Sequence, residues 1–107
     1  MRKIESQMNQ AVRFCKNWRS GNTQVVTEDG ESRVYLHGNL IAKVARDYFM
    51  MFDGGWQSNT TKSRLNALCH EFAPAAVCGV FQKNFKWFVQ DTNGVNDFFC
   101  GYTFQYG

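Results

Sequence analysis

A single proline, Pro74, interrupts 107 residues, and no stretch is rich in serine and glycine together, so nothing in the chain reads as a linker. Histidine occurs only at 37 and 70, and no two cysteines stand in a Cys-x-x-Cys spacing, which leaves no signature of a structural zinc site. No apolar run approaches the roughly 18 residues that a spanning helix needs. Residues 1–18, MRKIESQMNQAVRFCKNW, carry charge throughout and offer no signal-peptide core, so a cytoplasmic protein without membrane contact is expected. The phosphate-loop pattern is missing too, because Asp53-Gly54-Gly55 is not followed by a Gly-Lys-Thr ending. A Gly-x-Ser-x-Gly elbow, a His-Glu-x-x-His helix and paired acids at glycosidase spacing are also lacking. The expectation is a protein that is not an enzyme, with no catalytic residues, cofactor or metal.

Aromatic residues are abundant. Ten Phe, four Tyr and three Trp, within 44% hydrophobic content, supply enough apolar area to offset the entropy of ordering the chain, which argues against disorder. One globular domain over residues 1–107 is the natural size. Cys15, Cys69, Cys78 and Cys100 lie among apolar neighbours and read as reduced core thiols.

The net charge of +3 is modest but uneven. Residues 1–20 carry +4, 21–55 carry −2, 56–90 carry +3 and the remainder −2. Such segregation builds either a basic face for nucleic acid or an acidic partner, or simply a solvated surface.

Ile4, Met8, Ala11, Cys15 and Trp18 recur at helical spacing, predicting an amphipathic helix from about Arg2 to Arg19 with Glu5, Asn9 and Arg13 outward and a stop at Ser20-Gly21-Asn22. Residues 23–55 alternate in β-branched and aromatic types between Asp29-Gly30, His37-Gly38-Asn39 and Asp53-Gly54-Gly55, the marks of strands joined by tight turns. Tyr48–Phe52 is continuously apolar and reads as a strand covered on both sides. Ser58, Asn59 and Thr60 are capping residues, and Leu65, Leu68, Cys69 and Phe72 form the apolar stripe of a short helix that Pro74 ends. Residues 75–107 read as further strands with turns at Lys83-Asn84 and Thr92-Asn93-Gly94. Phe85, Trp87 and Val89 are expected on one core face, and Phe98, Cys100, Tyr102 and Phe104 on another. The element order predicts an α+β fold: an antiparallel sheet of about five to six strands with two helices packed on one face. The aromatic C-terminal strands can pair within one chain or across a homodimer.

Two places attract a functional reading. Trp56 precedes a helix whose first turns offer Thr61, Lys62 and Arg64, where free amides and the helix dipole favour an anion. Basic residues in a first turn oppose that dipole, which suggests that Lys62 and Arg64 serve something other than stability. The segment Gln82 to Phe88 interleaves Lys83 and Lys86 with aromatics, a pattern suited to stacking on bases, or to a core strand with solvated lysines. His37 beside a turn, with Arg33 and Tyr35 on its strand face, is a candidate general base in a small ribonuclease or a plain turn residue.

LHGNLIA at 36–42, GWQSNTTKSRLNAL at 55–68 and FQKNFKWFV at 81–89 together resemble a group of small proteins carried by tailed bacteriophages, in the same order over most of the chain. The resemblance implies a phage product made in the cytoplasm of an infected bacterium and carries over no catalytic residue. By class analogy it implies an accessory protein of host takeover or anti-defence that binds and inhibits or redirects a host protein or nucleoprotein complex. The alternative is a small nucleic-acid-binding protein using Lys62, Arg64, Lys83 and Lys86; a ribonuclease built on His37 is the third reading.

Overall fold

The computed structural model describes residues 1–106. Eleven elements follow in the order α1 (Lys3–Arg13), β1 (Trp18–Ser20), β2 (Thr23–Glu28), β3 (Glu31–Leu36), β4 (Asn39–Val44), β5 (Tyr48–Met51), α2 (Asn59–Phe72), β6 (Gly79–Lys83), β7 (Lys86–Asp91), β8 (Gly94–Asp97) and β9 (Tyr102–Gln105). The fold is α+β, with a six-stranded antiparallel sheet ordered β1-β2-β3-β4-β5-β9. The strands β6-β7-β8 form a second antiparallel sheet of their own.

Periodicity extends the first helix too far. It ends at Arg13, where Cys15 turns to φ +55 and the Cys15 and Lys16 N–H groups donate back to the Val12 and Ala11 carbonyls. This is a Schellman stop with cysteine at the position glycine usually takes. Trp18 therefore opens a strand, and Gly21 serves the β1–β2 turn rather than the helix end. Glu5 and Asn9, read as outward, are buried against α2: the Asn9 amide donates to the Ala67 carbonyl at 2.9 Å. Cys69 and Cys78 are core thiols as expected, whereas Cys15 and Cys100 are exposed.

The core lies where both helices meet the large sheet. A cross-strand row of buried residues, Val25, Val34, Ala42, Met51 and Tyr102, crosses five strands. A bulge between Val34 and Tyr35 shifts the register, so Ile41 and Ala42 are both buried instead of alternating. The β5 strand alternates, with Phe49 and Met51 buried and Tyr48 and Met50 half-exposed, so it is covered on one face and not both. Phe98 and Cys100 precede β9 instead of sharing its face; Phe49 and Phe104 stack across β5 and β9 at 5.6 Å.

The small sheet joins the same core through Val80, Trp87 and Val89. Its β6 edge is tied to α2 by Asn66, whose side chain accepts from Val80 N at 2.7 Å and donates to Val80 O at 2.9 Å. Tyr102 ties it to the large sheet by donating to Asp91 Oδ2 at 2.8 Å and accepting from Asn96 at 3.1 Å. Burial, followed by that bond to Asp91, pushes the Tyr102 phenol up to about 12. No helix among the described residues is long and apolar enough to cross a membrane.

Candidate functional site

The loop before α2 is a hydrogen-bonded turn in which Gly54 and Gly55 both take positive φ. Gly54 at φ +69 lies so close to β4 that a Cβ there would meet Asn39 Cβ at 3.2 Å and Ile41 Cγ2 at 3.3 Å. Asp53 organises the rest: its Oδ1 accepts from Gly55 N at 2.8 Å and from the Cys100 thiol at 3.2 Å, and its carbonyl accepts from Trp56 N at 3.2 Å. Trp56 stands 74% exposed on this turn.

The helix start behaves as its capping residues predict. Ser58 Oγ accepts from Thr61 N at 3.1 Å, so one amide that an anion would need is already taken. Thr61 is only 2% exposed and bonds Ser58 Oγ and the Trp56 carbonyl, which makes it a loop fastener and removes it from the accessible site.

Arg64 is the larger correction. It is 4% exposed, with NH1 donating to Glu5 Oε2 at 2.8 Å, Nε to Thr23 Oγ1 at 3.0 Å and NH2 to Asn22 Oδ1 at 3.4 Å. Ser63 donates to the same Glu5 oxygen at 2.6 Å. Burial acts to raise the Glu5 pKa, but hydrogen bonds from Ser63, Arg64 and the Arg2 amide outweigh it and hold the carboxyl below its ordinary value. Arg64 joins α2 to α1 and β2, and no partner molecule can reach it. Thr61, Arg64, Leu65 and Leu68 lie at i, i+3, i+4 and i+7, so a stripe begun at Thr61 would have revealed its burial.

Lys62 turns toward the small sheet: its Nζ bonds Gln82 Oε1 at 3.1 Å and sits 5.9 Å from the Trp87 ring centroid. Lys83 and Lys86 are cross-strand partners on the opposite, outer face with Phe81 and Phe88, and Lys86 pairs with Asp97 at 3.1 Å. The four cations of the nucleic-acid reading are therefore split among the interior, the inner face and the outer face. His37 occupies the β3–β4 turn at φ +52, and its backbone N–H donates to Asn22 O at 2.8 Å. It shares with Trp56 and Thr61 the lining of a cavity of about 50 Å³, room for a few waters, and lines on its other side a larger one of about 370 Å³ with Arg19, Asn22 and Gln24. Among the described residues, no cluster of three or more His, Cys, Asp or Glu side chains offers a metal site.

Phe85 does not share the core face expected for it with Trp87 and Val89. The turn is Asn84-Phe85, not Lys83-Asn84, so Trp87 and Val89 go inward while Phe85 stands at the tip, 96% exposed. Asparagine favours the first central position of such a turn, and pairing Phe81 with Phe88 would have located it.

No curated protein and no solved structure matches the chain. A family model described as Kyanoviridae Gp96 protein matches residues 1–105, nearly the whole sequence, and the chain belongs to this family of phage proteins.

Proposed function

We propose that this chain is a non-catalytic phage accessory protein that binds a host protein or defence complex in the cytoplasm of the infected cell and inhibits or redirects it. The observation that carries the reading is Trp56, 74% exposed on a loop shaped by Gly54 and Asp53. A large aromatic standing in solvent is available to a partner, and tryptophan is among the residues that dominate interface energies. Membership of a phage protein family supports the setting.

The alternative, nucleic-acid binding through a basic face, is weakened by the separation of its cations and by the ion pair that encloses Arg64. The test is affinity capture from bacterial lysate with the tagged full chain, with and without nuclease at low and moderate salt. A discrete host protein is expected to survive both treatments and to be lost in a Trp56→Ala variant that retains the wild-type melting temperature. Recovery of nucleic acid that disappears with salt would replace this reading by the alternative.

A further inference from the structure

Three two-residue hairpin turns in this chain share one backbone geometry. Asp29-Gly30 has φ +52 and +77, His37-Gly38 has +52 and +76, and Asn84-Phe85 has +52 and +64. All are turns in which both central residues take positive φ, a conformation that glycine adopts freely and that a bulky side chain resists. Two of the turns place glycine second; the third places phenylalanine there. The fold gives this ring nothing in return, because Phe85 is 96% exposed. Neither turn geometry nor packing accounts for it, and strain held at an exposed tip points to use by a partner.

The surroundings define that partner's chemistry. The small sheet over residues 79–97 contains Lys83, Lys86, Asp91 and Asp97 and so carries no net charge, a poor match to a phosphate backbone. Phe81 and Phe88 stack on each other at 5.6 Å, and Lys86 Nζ sits 5.6 Å from the Phe88 centroid, so Phe85 is the ring of this sheet that stands free. Lys86 is neutralised by Asp97, whereas Lys83, beside the tip, has no ion pair among the described residues. The feature left to a partner is one apolar ring with one cation beside it.

We infer that the β6–β7 tip is a docking element in which Phe85 enters an apolar pocket of a host protein and Lys83 meets a carboxylate on the pocket's rim. This rests on the host-protein-binding reading above and adds a second contact, distinct from Trp56.

The test combines a melt with photocrosslinking in the full chain. Phe85→Gly relieves the turn and should raise the melting temperature by several degrees; an unchanged or lower value would overturn the strain argument. With p-benzoylphenylalanine at position 85, irradiation in infected cells should yield one nuclease-resistant protein adduct, absent when the same group replaces Phe14. The crosslinked partner peptide should contain apolar residues flanked by Asp or Glu, and Lys83→Glu should reduce the adduct several-fold. A nucleic-acid adduct, an adduct only with a second copy of this chain, or no adduct would overturn the inference. Capture that persists in Phe85→Gly but fails in Trp56→Ala would remove this docking element and leave the proposed function standing, whereas absence of any captured host protein would remove both.

Discussion

Removing the Arg64 guanidinium would leave the Glu5 carboxylate buried without its cation, and that asymmetry sets the largest single-residue effect expected here. Arg64→Ala should destabilise the protein by about 3–5 kcal/mol, read as a lower urea midpoint, because an unpaired buried charge costs far more than the pair contributes. The pair also predicts a pH response. Glu5 has a lowered pKa in the folded state, so its contribution is fully present above the ordinary carboxyl value of 4.5 and is lost as pH falls through the lower folded value. Glu5→Gln should therefore flatten the fall in stability over that acid range, as followed by urea midpoints at stepped pH. In the sequence Arg64 looks like a surface cation near Lys62, because helical phase places a residue on a buried face without naming the acid, 59 positions away, that makes burial tolerable. Ser58 needs no distant partner and was legible for that reason.

The same division holds for whole elements. Helices, most strands and the turns at Asp29-Gly30 and His37-Gly38 follow from local periodicity and turn chemistry. The end of α1 did not, because Cys15 adopts a left-handed conformation that its residue type gives no reason to expect. Since Cys15 is exposed and has φ +55, Cys15→Gly should stabilise the protein by about 1 kcal/mol, visible as a higher melting temperature. A change in the opposite direction would mean that the thiol makes contacts worth more than the strain. The C-terminal strands were recognised as strands, but their division between two sheets depends on β9 crossing back to β5, a long-range pairing that no local pattern encodes.

At the scale of the molecule, the small sheet is an excursion between α2 and β9, fastened mainly by core residues, by Asn66 and by Tyr102. Gly79 permits the first fastening, since a Cβ there would lie 3.0 Å from Asn66 Oδ1. Asn66→Ala deletes two hydrogen bonds to β6 and should cost about 1–3 kcal/mol. Hydrogen exchange should accelerate in residues 79–97 more than in β2–β5; uniform acceleration would show that the two sheets open as one unit. The surface distribution of sulfur has a practical result as well. Iodoacetamide applied to the native protein should label Cys15 and, more slowly, Cys100, whose thiol is pushed up by partial burial and by Asp53, with Cys69, buried and pushed up to about 12, reacting only after denaturation, as peptide mass spectrometry would reveal. Left in air, two molecules can join through those outer thiols, so a dimer that dissolves on adding reductant would record oxidation during storage and not assembly in the cell.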